Sequence, residues 1–256
     1  MAMSVDNDST KNLYNRTALQ WIREEPSSLS DFTARPAVLD LCGSVAGLRV
    51  LDLGCGEGYC SRELRRLGAS SVYGIDISES MIAAARSQES QDALGIRYEV
   101  GCATDLTELG DNQFDLVIAV FLFNYLTTEQ TAQCLTQIKK RLSPGGRVVF
   151  SVPHPAFPYM RSPAYPFYFQ VEGAGYFSKR NHQFPGRIWK RDGSWLDVQL
   201  THKTFEDYFV ALKCAGFNTM PIVSELRVTP EHVALDESFF GPLIDYPLHL
   251  AIKVSQ

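Results

Sequence analysis

The chain has 256 residues and a formal net charge of -5, long enough for one large domain with a well-filled core. Hydrophobic residues make up 45% and mean hydropathy is -0.11, an ordinary balance for a globular protein in water. No apolar run reaches the roughly 18 residues of a membrane helix, and the acidic balance without a broad basic patch argues against a nucleic-acid partner.

Residues 1–12 are polar, lack the basic-then-apolar order of a signal peptide and are expected to be disordered; a cytoplasmic location follows as an expectation. Residues 13–47 read as helices interrupted near Pro26, and alternation of strand and helix begins at about Leu48. Val50-Leu51-Asp52-Leu53-Gly54-Cys55-Gly56-Glu57-Gly58 is an apolar run ending in an acid, then a turn with three alternate glycines. Such a stretch predicts a parallel strand, a tight loop and a helix, with bare backbone open to a ligand. The dinucleotide fingerprint places a third glycine where Tyr59 stands, and Asp52 would repel a pyrophosphate. The loop suits a cation or an ammonium group instead.

Ser71–Asp76 reads as a second strand ending in an acid, 24 residues after Asp52, where a carboxylate can take both hydroxyls of a ribose. Further strands are expected at 96–100, 114–120 and 147–152, and helices over 80–87 and 128–142. Lys139-Lys140-Arg141 closes the latter, where cations suit the helix dipole. The six cysteines form no CxxC pair and no Cys/His cluster, so reduced thiols and no metal are expected. Residues 153–200 carry roughly twice the aromatic density of the whole chain. A disordered segment would be aromatic-poor, so a folded insertion over the ligand edge is expected, with Tyr159, Phe167 and Trp189 as candidate pocket walls. A last helix from about Lys203 to Ala215 and two strands, 218–225 and 246–254, complete the chain.

The acid followed by G-x-G-x-G, the Asp76 strand, the loop Gly101-Cys102-Ala103-Thr104-Asp105, the strand Phe114–Val120 and the turn Leu142-Ser143-Pro144-Gly145-Gly146 occur in the order found in class I S-adenosylmethionine-dependent methyltransferases of the small-molecule type. Over about residues 45–152 the chain resembles that family. The resemblance implies a doubly wound, mostly parallel seven-stranded α/β sheet with a C-terminal antiparallel hairpin, here with the aromatic-rich insertion after the fifth strand. One domain is expected: helices over 13–47, a cofactor core over 48–152, a substrate cap over 153–200 and a C-terminal helix and strands over 201–256.

The same resemblance implies S-adenosyl-L-methionine as cofactor and S-adenosyl-L-homocysteine as product. Gly54, Cys55 and Gly56 would lie against the amino acid portion, Asp52 would face its amino group, and Asp76 would hold the ribose. Ile77 and Met81 would sandwich the adenine, and Val120 and Phe121 would sit by the methylthio centre. Where the family often has Gly-Asp-Ala, Cys102 replaces the acid, which leaves the base to Ala103, Thr104 and Asp105. Tyr14 would cover the donor, as the N-terminal Tyr of some members does. Phe32, Thr33 and Arg35 open the next helix, where ordinary packing and solvent suit them as well as closure over the site.

On the acceptor side, Asn124 and Tyr125 follow the fourth strand and His154 the fifth. A histidine with a pKa near ~6.5 can take a proton at neutral pH, so His154 and Tyr125 are the candidate catalytic residues. The expected activity is methyl transfer to N or O of a small aromatic or heteroaromatic metabolite, with no nucleic-acid or membrane partner. A non-catalytic cofactor-binding scaffold and an NAD-dependent oxidoreductase are the alternatives.

Overall fold

The computed structural model describes residues 7–171, 173 and 175–256. In chain order, helices α1 (Asn7–Trp21), α2 (Leu29–Thr33) and α3 (Arg35–Cys42) precede strand β1 (Arg49–Leu53). Helix α4 (Tyr59–Arg66), β2 (Ser71–Asp76), α5 (Glu79–Gln91), β3 (Arg97–Val100), β4 (Phe114–Val120), α6 (Thr128–Arg141) and β5 (Leu142–Pro153) follow. Next come α7 (Phe157–Met160) and strands β6 (Phe167–Phe169), β7 (Gln183–Trp189) and β8 (Trp195–Thr201). Helix α8 (Phe205–Cys214), β9 (Ile222–Leu226), α9 (Pro230–Leu235), α10 (Glu237–Phe240) and β10 (His249–Ser255) end the chain. Residues 7–12, expected to be disordered, form the start of α1; residues 1–6 lie outside the described residues.

The main sheet has seven strands in the order β3-β2-β1-β4-β5-β10-β9. Strands β1 to β5 run parallel, and β10 is antiparallel to both its neighbours. This is the expected doubly wound sheet with its terminal hairpin. Its central strands are apolar on both faces because helices cover both. In β1 Val50, Leu51 and Leu53 are buried, and in β4 Leu116 to Ala119 are buried without a break. One face packs on α6 and α8 through Leu135, Ile138 and Tyr208; the other packs on α3, α4 and α5 through Val38, Leu64 and Ile82. Strand β5 pairs Leu142 with Phe114, bulges, and regains register at Arg147 opposite Leu116.

Caps fix the helix starts. The Thr127 hydroxyl accepts from the Gln130 N–H, while Gln130 Oε1 accepts from the Thr127 N–H. Thr204 and Asp207 do the same at α8. Each pair satisfies donors the helix leaves open.

The insertion after β5 is folded. Strands β6, β7 and β8 form a separate antiparallel sheet. Its own core joins Phe157, Phe167, Phe169 and Leu196 to Leu29 of α2 and to Phe239 and Phe240 of α10. Gly186 of β7 allows the close approach of β6, since a Cβ there would lie 2.4 Å from the Phe169 ring. The sequence marked the insertion without placing α7 or β6 to β8 in it, α9 and α10 were not legible, and the last strands begin at Ile222 and His249 rather than at 218 and 246.

Phe150 in β5 is fully buried, its ring 4.8 Å from Phe123 and 6.3 Å from Tyr208. Phe150→Ala is expected to cost ~3–5 kcal/mol of unfolding free energy, measured by urea denaturation.

Candidate functional site

One deep cavity opens at the carboxyl ends of β1, β2 and β4, the edge where open α/β sheets hold ligands. Its wall runs from the glycine turn after β1 at one end to the three-stranded sheet at the other, so two ligands could meet within it.

The donor half is built from the glycine turn. Gly54 and Gly56 have φ of +68° and +57°, a region that favours glycine. A Cβ at Gly54 would also press on Leu122 at 3.2 Å, whereas one at Gly56 would meet nothing within 4 Å. The Gly56 backbone therefore faces open space. Asp76 secures this turn: its carboxylate accepts from the Gly56 and Ser78 N–H groups, each at 2.9 Å. Burial raises its pKa. With the Ile77 N–H also directed at the carboxylate, three of its roughly four acceptor sites are engaged, and room for a ligand hydroxyl remains.

Asp52 lies at the end of β1, 1% exposed, and accepts from the Ser61 hydroxyl at 2.6 Å. Burial pushes its pKa up to about 7. Cys55, Ile77, Met81, Gly101, Cys102 and Ala103 complete this end of the wall. Thr104 and Asp105 are not in it: the Thr104 carbonyl takes Gln133, and Asp105 takes the Thr107 N–H and hydroxyl. The Cys102 thiol sits 3.0 Å from the Thr104 hydroxyl.

A chain of buried ion pairs reaches the cavity from behind the turn. Arg62 and Arg23 both pair with Glu57, at 2.7 and 2.9 Å; Arg23 and Arg35 both pair with Asp31, at 3.0 and 2.8 Å. Burial pushes Asp31 up, but Arg35, Arg23 and the Ser27 and Ser28 N–H groups leave its pKa below the usual range. Burial would lower Arg35, yet Asp31 raises it, so Arg35 stays charged. It lines the cavity, with its guanidinium 5.6 Å over the Phe121 ring. Of the two places left open to Arg35, solvent and the site, it takes the second. The sequence signal was present in Arg35 opening a helix beside the site; its partner Asp31 was not recognisable as one.

Phe121 ends β4 with φ of +58°, an uncommon conformation for a residue with a Cβ. Val120 and Leu122 line the cavity beside it. Helix α1 crosses the mouth, and the Tyr14 and Tyr125 hydroxyls are hydrogen-bonded to each other. Burial raises both phenols, and for Tyr14 the neighbouring Tyr125 adds to it. Tyr125 thus stays protonated at neutral pH and is no ready base.

The other half of the wall comes from the small sheet: Phe167, Phe169, Ile188, Val198 and Gln199. Of the candidate wall residues, Phe167 belongs to it. Tyr159 instead packs on Tyr176 and His202, and Trp189 on Tyr165, Tyr168 and Trp195. His154 is likewise outside the cavity. Its Nδ1 accepts from the Ala156 N–H and its Nε2 lies 3.0 Å from Glu225 Oε1, a structural arrangement at the strand end. The histidine in the wall is His249, the β10 residue paired with Pro153. Thr10, Trp21 and Asn124 also line the cavity, and Thr10 Oγ1, Trp21 Nε1, Asn124 Oδ1 and His249 Nδ1 are buried without a hydrogen-bond partner among the described residues. Such groups are rare unless a ligand or water meets them.

Among the described residues, no group of three His, Cys, Asp or Glu is clustered to hold a metal ion, and no helix is long and apolar enough to cross a membrane.

Residues 50–146 match the model of a family described as "Methyltransferase domain". The chain is similar to an S-adenosylmethionine-dependent methyltransferase from Mesorhizobium loti of known structure, 30% identical, with a TM-score of 0.66, covering 86% of this chain and 96% of that one. It is 34% identical over 108 residues to a ubiquinone biosynthesis O-methyltransferase of Nitrosococcus oceani and 31% identical over 153 residues to an uncharacterized protein of Haemophilus influenzae. These matches cover 42% and 59% of this chain, and 44% and 58% of those proteins, so the chain spans about half the length of the curated relatives it matches.

Two outcomes follow. A cationic ligand needs Asp52 as carboxylate, whereas the free protein binds a proton there below about pH 7. Affinity for S-adenosylmethionine is expected to be level above that pH and to fall, by up to about tenfold per unit, as pH drops below it; calorimetry at a series of pH values reads this, and Asp52→Asn flattens the slope. Glu57→Gln leaves Arg62 buried without its carboxylate and Arg23 with Asp31 alone, and is expected to cost ~3–5 kcal/mol of stability, read by chemical denaturation.

Proposed function

Because the chain belongs to the S-adenosylmethionine-dependent methyltransferase family, we propose that it moves a methyl group from S-adenosylmethionine to an oxygen or nitrogen of a small aromatic or heteroaromatic acceptor. The observation that carries this reading is the shared cavity: the glycine turn, Asp52 and Asp76 form one half, and the aromatic face of the three-stranded sheet forms the other. The O-methyltransferase name of a relative favours oxygen.

The residues fit the donor. Open Gly56 backbone and charged Arg35 suit its amino acid portion, with Arg35 for the carboxylate and Asp52 for the ammonium. Asp76 suits the ribose hydroxyls, and Ile77, Met81 and Ala103 offer apolar surface to the adenine. Cys102 takes the place of an acid there, so the base would be held by packing and backbone more than by a side-chain carboxylate. The cofactor supplies a methyl group activated on a sulfonium. The chain's own work is to hold the two reactants in line and keep water out.

Phe121 and Val120 at the end of β4 separate the two halves. Tyr14 and Tyr125 close the mouth over them, and Phe167, Phe169, Ile188 and Val198 make the acceptor end apolar. An apolar, aromatic-lined end favours a flat, uncharged acceptor over a nucleic acid or a charged peptide.

Incubation with methyl-labelled S-adenosylmethionine and a panel of phenols and heteroaryl alcohols is expected to give labelled product, and S-adenosylhomocysteine should bind. Asp76→Ala removes charge-assisted hydrogen bonds of ~1.5–3 kcal/mol each, so its affinity for S-adenosylhomocysteine should fall at least about tenfold. Absence of both turnover and product binding in the unmodified protein would overturn the reading.

A further inference from the structure

His249 begins β10, and its ring lies in the cavity wall at 1% exposure. Its protonation pattern follows from one neighbour. The Thr33 hydroxyl donates its single proton to the Leu29 carbonyl at 2.9 Å. At the 3.2 Å contact with His249 Nε2, Thr33 can therefore only accept. Nε2 must carry the hydrogen, and Nδ1 is left as a bare lone pair. That Nδ1 is buried and has no partner among the described residues.

The surroundings hold the ring in this neutral form. Burial first, then Arg35 from α3 and His154 from the end of β5, push its pKa down to about 3. Among the described residues no carboxylate pairs with it; the rings packed on it are Phe121 at 5.0 Å and Phe167 at 5.6 Å. Phe121 is the left-handed residue that follows β4 and lines the cavity, and Phe167 belongs to the small-sheet end. The unsatisfied acceptor thus sits where the two halves meet, against an otherwise apolar wall.

We infer that His249 Nδ1 is the hydrogen-bond acceptor for the hydroxyl of a phenolic or heteroaryl acceptor, fixing which lone pair of that oxygen faces the donor half. This rests on the methyltransferase reading. His249 is a positioning residue here: in the bound state it is neutral and orients the O–H, and the phenolic proton leaves to solvent as the methyl's bond to sulfur breaks and its bond to the oxygen forms. Trp21 Nε1–H and Asn124 Oδ1, also unpartnered in the wall, offer a donor and a second acceptor for the substituents of the same ring.

Nitrogen NMR of the histidine side chains, with phenol as probe and S-adenosylhomocysteine present, tests this directly. The His249 resonances, identified by their loss in His249→Phe, should show the Nε2–H tautomer and no protonation through the neutral range. Adding phenol at millimolar concentration should move the bare Nδ1 resonance upfield while the Trp21 indole N–H reports occupancy of the cavity. In His249→Phe, which keeps a ring against Phe121 and Phe167, phenol should bind roughly tenfold more weakly, and His249→Asn should recover part of the loss. An Nδ1–H tautomer, a Trp21 response without movement of Nδ1, or no response of either resonance overturns the inference. Calorimetric binding of S-adenosylhomocysteine in the same samples judges the cofactor reading separately: heat with the product but no phenol response sinks only the role of His249.

Discussion

The line of buried charges Arg62, Glu57, Arg23, Asp31 and Arg35 is the constraint on which the site depends. Two carboxylates serve three guanidinium groups, each pair within 3.0 Å. Buried charges of this kind persist only when each is paired, so the helix α4, the glycine turn and the segment from α1 to α3 must occupy fixed positions relative to one another. The surplus positive charge ends at Arg35, in the cavity. The N-terminal helices are thereby fastened to the back of the cofactor loop rather than laid loosely over it. Arg23 also stacks on the Tyr59 ring at 4.4 Å, which ties the same guanidinium to the first turn of α4.

Opposing signs are then separated within one cavity. Asp52 and Asp76 face the donor half from the strand ends, and Arg35 faces it from the helices. A zwitterionic amino acid group finds both signs without either being stranded in an apolar wall. Burial lifts both carboxylates above the ordinary range, Asp52 to about 7, so in the empty site part of the charge on Asp52 is neutralised by a proton that a cationic ligand displaces. The acceptor half has no such charges, and its polar atoms are lone donors and acceptors set in aromatic surface.

The parallel core was legible because its signals are local. A run such as Val50 to Gly58 holds strand, acid and turn within nine residues, and the strand ends at Asp76 and Val120 follow from apolar runs of the right length. The aromatic excess after Pro153 correctly marked a folded insertion, since disorder would not carry it. Pairings distant in sequence were not legible. Asp31 and Glu57 meet Arg23 only in three dimensions. His154 was singled out because it follows β5 and His249 drew no notice, yet antiparallel pairing sets His249 beside Pro153 and in the cavity wall. Tyr159 and Trp189 belong to the right module but lie on the wrong side of it, because a three-stranded sheet with a core of its own has faces that composition does not distinguish. Short helices α9 and α10, four to six residues each, carry too few turns to show a period.

The proposed acceptor wall is set apart from the main sheet between Pro153 and Thr204, with a core shared with α2 and α10. The donor wall belongs to the main sheet and its loops. Inheritance can therefore act on the two at different rates: drift between residues 154 and 201 reshapes the chamber offered to the incoming molecule, while the cradle for the shared reagent is left intact. A lineage built on this plan can change its customer without rebuilding its tool.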